Sequence, residues 1–222
     1  TITYVENAAA TAINTAITVN DVDNTTLASA TVSITGGLAT SEDLLTFTNV
    51  PATMGNISGS YNAATGVMSL SSSGNTATLA QWEAALRSIQ YSNSSENPST
   101  TARTISYTVN DSALNSNTVT STINITTVND APTLSVTSSN PTFTEGAGSS
   151  QGAAVTVFSG ANVNTVESTQ DITSLTFTVS GLADGANEVI SVDGTTIALG
   201  GNSSGTTTTN AMGYTVTVSS GT

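Results

Sequence analysis

The chain has 222 residues, with two basic residues, Arg87 and Arg103, against fifteen acidic ones, and no Cys or His. This inventory excludes disulfides, thiol or imidazole catalysis, and zinc sites built on Cys or His. A net charge of −13 opposes binding to nucleic acid and insertion into or adhesion to anionic membranes, since both attractions rest on Lys and Arg.

Charged residues make up 8% of the chain, against about 25% in an average globular protein. Hydroxyls and amides replace them, and few sites remain for trypsin-type proteases. Composition therefore points to an extracellular protein. No apolar run approaches the roughly 18 residues of a membrane-spanning helix. The chain starts at Thr1 and stops at Thr222 in mid-pattern, so we expect a piece of something longer.

Period-2 alternation rich in β-branched residues predicts strands. In chain order these are Ala16–Val19, Ala30–Thr35, Leu44–Thr48, Gly66–Leu70, Thr104–Val109, Thr118–Thr126, Ser174–Ser180 and Gly213–Val218. Turn residues separate them: Gly36-Gly37, Asn62 to Gly66, Ser71 to Gly74, Asp184-Gly185 and Asp193-Gly194. Many short strands with frequent turns imply an all-β sandwich. Glu42-Asp43, just ahead of one strand, reads as a solvated pair.

One stretch has helical spacing instead. Leu79, Trp82, Leu86 and Ile89 recur on one face, and Thr78 with Gln81 forms a capping-box pattern. This predicts a short amphipathic helix over Leu79–Ile89 with Trp82 in the core; stacking on a ligand is the alternative role for Trp82. Near residue 131 the run Thr127-Val128-Asn129-Asp130-Ala131-Pro132 breaks the ladder pattern, because proline cannot extend it. We expect two domains, 1–131 and 132–222, the second incomplete. Tyr4-Val5-Glu6-Asn7-Ala8 and Phe143-Thr144-Glu145-Gly146-Ala147 form a short internal repeat.

Val-Asn-Asp occurs three times, ending at Asp21, Asp111 and Asp130, each time after a predicted strand. Asp21-Val22-Asp23-Asn24 puts two carboxylates about 6–7 Å apart if the chain is extended, and they repel unless a cation lies between them. An oxygen-only donor set suits Ca2+, which takes carboxylates, amides and carbonyls in flexible geometry; Mg2+ is stricter. The other reading of these Asp and Asn residues is local: they are common turn formers that bond their own backbone.

Val128-Asn129-Asp130-Ala131-Pro132 resembles the linker of cadherin repeats, and in particular of the cadherin-like tandem repeats of giant bacterial RTX-type adhesins. Glu6, Asp21-Val22-Asp23-Asn24 and Asp111 resemble that family's acidic positions, and the helix at Leu79 to Tyr91 its bacterial version. The resemblance covers residues 1–132. It implies tandem Greek-key (cadherin/Ig-like) β-sandwiches, the first with a short helical insert, and calcium between successive domains. Carried over, Asp21, Asp23, Asn24 and Asp111 would face a preceding domain. Glu6, Asn129 and Asp130 would face the second domain, where Glu145 is the candidate partner. Residues 133–222 have no Asp-x-Asp and offer Glu145, Glu167, Asp171, Asp184, Glu188 and Asp193 instead.

The expected function is therefore structural: a calcium-stiffened extender module of a bacterial cell-surface adhesin, with neighbouring repeats of the same chain as partners. Its rivals are a filament or surface-layer subunit assembling with other copies, and a carbohydrate- or receptor-binding module. An enzyme is not expected. There is no His or Cys for a nucleophilic triad, no phosphate-binding glycine loop and few aromatics to hold a sugar.

Overall fold

Alternation of apolar and hydroxyl residues organises the first part of the chain. The computed structural model describes residues 1–148, 150–176, 178–183, 187–192, 195–199, 203–209 and 212–218. Asp184-Gly185, Asp193-Gly194 and the residues of the predicted turns there lie outside them. The fold is predominantly β. It separates into two units, Thr1–Thr133 with Thr165–Gln170, and Leu134–Asn164 with Asp171–Thr222.

The first unit holds nine strands: β1 (Ile2–Val5), β2 (Thr11–Ala12), β3 (Ser29–Gly36), β4 (Asp43–Thr46), β5 (Ile57–Asn62), β6 (Val67–Ser72), β7 (Gln90–Asn93), β8 (Arg103–Asn110) and β9 (Val119–Thr126). Two helices accompany them, α1 (Pro51–Met54) and α2 (Leu79–Arg87). Six strands form one sheet in the order β1-β9-β8-β3-β6-β5, and three form another in the order β2-β7-β4. All pairings are antiparallel except β1 with β9, which run parallel with Val5 opposite Thr126.

Burial follows the strand period. Ala30, Val32 and Ile34 of β3, Met68 and Leu70 of β6, Ile105 and Tyr107 of β8, and Ile123 and Ile125 of β9 are all buried. Leu45 of β4 and Tyr91 of β7 join the same core, where Tyr91 meets Tyr4 edge to face at 5.1 Å. The intervening residues of the large sheet are hydroxyls: Thr31, Ser33 and Thr35, Ser69 and Ser71, Thr104, Ser106 and Thr108. Thr35 and Ser106 hydrogen-bond across the ladder at 2.7 Å. This is how a chain with so few charges keeps a polar outer face.

Helix α2 begins where its capping box predicts. Thr78 Oγ1 accepts the Gln81 N–H, and Gln81 Oε1 accepts the Thr78 N–H at 2.9 Å. Trp82 is fully buried and donates Nε1–H to the Leu27 carbonyl at 3.1 Å; Ala85 and Leu86 complete the buried face. Trp82 is therefore a core residue.

Three expectations for this unit and its neighbour change. Ala16–Val19 is not a strand, because its backbone partners are side chains. Ala16 N–H donates to Asn14 Oδ1, Val19 N–H donates to Glu83 Oε1, and the Ile17 carbonyl accepts from Arg87 Nε. Asp43 is not solvated. It is buried, and its carboxylate accepts Arg103 Nε at 2.9 Å, Tyr91 Oη and Asn93 Nδ2. The predicted turn at Gly37 is needed for space as well as for its left-handed φ of 70°: a Cβ there would lie 2.4 Å from the Ala102 carbonyl oxygen. Ser174–Ser180 contains no strand among its described residues, since alternation alone supplies no ladder partner.

In the second unit, β10 (Thr133–Ser138) pairs with β11 (Phe158–Asn164). Strand β12 (Val189–Val192) pairs antiparallel with β13 (Thr195–Ala198), and β14 (Ser203–Thr209) with β15 (Met212–Val218). Among the described residues, no helix is long and apolar enough to cross a membrane.

Candidate metal centre

Parallel pairing of β1 with β9 brings residues near the two ends of the first unit's chain together. Glu6 follows β1 and continues the ladder, donating its N–H to the Thr126 carbonyl at 2.9 Å. Its side chain then turns onto the next stretch, where Oε2 accepts the Val128 N–H at 2.7 Å. Glu6 is 4% exposed and its Oε1 has no hydrogen-bond partner. The chain beyond β9 carries Asn129 and Asp130 past this point.

Glu96 arrives from the loop after β7. That loop is shaped by short-range bonds: the Ser95 N–H to Asn93 Oδ1, and the Asn97 N–H to Ser95 Oγ. Asn7, in a left-handed conformation at φ 60°, holds Glu96 through Nδ2 to Oε2 at 2.9 Å. Glu6, Glu96 and Asp130 each place a carboxylate oxygen within 4.8 Å of the others, so they could hold a metal ion.

A fourth carboxylate adjoins them. Glu167, from the segment Thr165–Gln170 that belongs to the first unit, accepts the Asp130 N–H through Oε1 at 2.6 Å. Its Oε2 is buried without a partner, as is Asp130 Oδ2. Gln170 Nε2 donates to Asn129 Oδ1. Glu167 also lines a surface groove with Val128, Asn129 and Gln170. Burial, with Glu96 and Glu167 nearby, raises the Asp130 carboxyl above its ordinary value. An unsatisfied buried carboxylate oxygen is costly. Glu6 Oε1 and Asp130 Oδ2, both in the acidic group, fit the donor set of a hard cation.

The sequence-predicted residues fall into three groups. Glu6, Asp130 and the neighbouring Asn129 do converge. Glu145, exposed and in the second unit, is not a member of this acidic group. Asp21, Asp23, Asn24 and Asp111 gather elsewhere, with Asn24 Nδ2 at 3.2 Å from Asp23 Oδ1 and 3.4 Å from Asp111 Oδ2.

That second gathering is built from turns. Asp21 is not in extended chain; its Oδ1 accepts the N–H groups of Asn24 at 2.8 Å and Asp23 at 3.1 Å. Asp111 Oδ1 accepts those of Leu114 and Ala113, both at 2.7 Å. These bonds hold both carboxyls below their ordinary value, Asp21 through Asn24 first and Asp111 through Leu114 first.

Glu96 is not marked out by the sequence, and Glu167 is marked only as one of several acids that residues 133–222 offer in place of an Asp-x-Asp. For Glu167 a signal was present. Val166-Glu167-Ser168 precedes the Ser174–Ser180 alternation much as Val22-Asp23-Asn24 precedes β3. For Glu96 only the general scarcity of acids offered a hint. Comparison with protein families, curated proteins and solved structures finds no match to this chain.

Proposed function

We propose that the chain is a structural extender module of a calcium-binding bacterial surface adhesin, of cadherin-like Greek-key sandwich type. The observation that carries this reading is the convergence of Glu6, Glu96 and Asp130, in which Glu6 Oε1 and Asp130 Oδ2 are buried and satisfied by no protein group. An all-oxygen site without imidazole or thiolate favours calcium over transition metals, and its mixed burial and irregular backbone favour calcium over magnesium. The resemblance of the Val128 to Pro132 run to adhesin linkers supports the same reading, as does a composition poor in charge and in protease sites.

The mechanism is electrostatic. Two carboxylates about 4 Å apart repel by ~4 kcal/mol at an effective dielectric near 20. Left without an ion, the carboxylates relieve that repulsion by separating, and the stretch after β9 is easier to move than a laddered strand. With calcium, the acids are tied together and the connection to the next module stiffens. Thermal melts in millimolar calcium and in chelator test the ion: calcium raises the melting temperature, and magnesium raises it less. Small-angle scattering tests the spacer, which should be longer and more uniform with calcium. Melting and scattering curves that ignore calcium would refute the proposal.

A further inference from the structure

We infer that β5 is a docking edge for a second copy of this chain, whose own β5 pairs antiparallel to it and joins the two six-stranded sheets into one. This stands apart from the metal centre and does not rest on it.

β5 is the last strand of its sheet, so no strand pairs along its other side. An edge of this kind presents unpaired backbone N–H and C=O groups, and proteins ordinarily blunt it with charge, proline, a bulge or a very short strand. β5 has none of these. Its residues, Ile57-Ser58-Gly59-Ser60-Tyr61-Asn62, include no charge and no proline, and they pair with β6 in unbroken register. Ser58, Gly59 and Ser60 are exposed. The other edges of the first unit are defended. β2 is two residues long. In β4 the Asp43 N–H donates to the Ala39 carbonyl, and the Asp43 carbonyl accepts from Tyr61 Oη. β1 runs directly into Glu6.

β5 is also held ready for a partner. Phe47 packs on Gly59, where an added Cβ would lie 2.8 Å from the ring's Cδ1. Tyr61 Oη is anchored on the Asp43 carbonyl at 3.0 Å. An aromatic ring over an edge glycine fixes the strand backbone, so docking has little left to order.

Charge selects the occupant. The chain carries −13, yet no charged residue lies between Asp43 and Glu83, the stretch that holds α1, β5 and β6. Elsewhere the acids of two copies repel; along this edge they do not. An uncharged strand offers nothing to recognise an acidic or basic peptide, but it complements itself. Antiparallel pairing about a two-fold axis gives both copies the same backbone hydrogen bonds. It also continues the hydroxyl outer face across the junction, since Ser58 and Ser60 lie opposite Ser71 and Ser69.

The test uses the full chain and reads sedimentation over a range of protein and sodium chloride concentrations, in calcium and in chelator. A dimer should form as protein concentration rises, in both media alike. It should be favoured by high salt, which screens the repulsion between acids elsewhere. Ser60→Lys sets like charges across the junction and should weaken association roughly tenfold or more. Thr31→Lys, also exposed but on β3, two strands in from the edge, should leave it unchanged. The chain has no Cys, so an introduced thiol gives a second reading: under mild oxidation Ser60→Cys should cross-link copies and Thr31→Cys should not. Circular dichroism reports whether each variant is folded. A chain that stays monomeric at high concentration and high salt, or a dimer that Ser60→Lys leaves intact, overturns the inference. A dimer that forms only with calcium overturns it too, and leaves the metal centre standing.

Discussion

Glu6 Oε2 and the Val128 N–H meet at 2.7 Å across 122 positions of sequence. The bond exists because β1 runs parallel to β9, so that the first acid of the chain lies beside the residues that follow the last strand of the first unit. It uses one oxygen and leaves Oε1 for an ion. Glu6→Gln keeps a carbonyl oxygen for Val128 but removes the charge. In chelator it should melt at or above the wild-type temperature; in calcium it should lose most of the gain. For the wild type that gain is about 2.7 kcal/mol at a hundredfold excess over Kd. Paired melts of wild type and variant, with and without calcium, check this.

Arg103 and Asp43 form an ion pair with both side chains fully buried. Tyr91 and Asn93 also donate to Asp43, and the Ser99 and Thr101 carbonyls accept from Arg103 Nη1. Removing one partner strands the other charge in the core, so Asp43→Ala should destabilise by about 3–5 kcal/mol. Replacing both by apolar residues of similar size should cost much less than the sum of the single changes. A double-mutant cycle in denaturant measures the difference.

Leu86 lies on the buried face of α2, next to Trp82. Leu86→Ala should cost about 2–5 kcal/mol, the range for a core truncation that leaves a cavity. Native Trp82 emission should be blue-shifted and shielded from iodide, moving to the red only on unfolding. Emission characteristic of full exposure in the native protein would contradict the core role.

Burial pushes the Tyr107 phenol up to about 12, and burial first, then Asp43, pushes Tyr91 up as well. The folded state thus disfavours phenolate. The stability this contributes is complete below the unfolded value near 10 and is lost as pH rises from there through the folded values. The protein should weaken above about pH 10, and tyrosinate absorbance from these two residues should appear together with unfolding. Phe substitution at the buried Tyr107 should delay alkaline unfolding.

Asp21 and Asp111 have lowered carboxyl values from backbone N–H bonds. Their contribution is therefore present above the ordinary value of 3.8 and disappears as pH falls through their folded values. Asp130 has the opposite sign, since its raised carboxyl favours the protonated form in the folded state. In chelator, carbon-detected titration should order the three, with Asp130 protonating first as pH falls.

Sequence by itself determined the strands that alternate between apolar and hydroxyl residues, β3, β6, β8 and β9, because a two-residue period admits one buried face. It determined α2 as well, where spacing and the Thr78–Gln81 box agree. Local pattern failed where a tertiary partner decided the outcome. Ala16–Val19 alternates like a strand, yet Glu83 and Arg87 of α2 take its backbone groups. Asp43 looks like a surface acid until β8 brings Arg103 against it. For the candidate metal centre, Glu6 and Asp130 were legible as strand-end acids. Their meeting and the arrival of Glu96 and Glu167 were not. A carboxylate's role depends on which other charges share its space, and only the parallel β1–β9 pairing and the packing of Thr165–Gln170 bring those charges together.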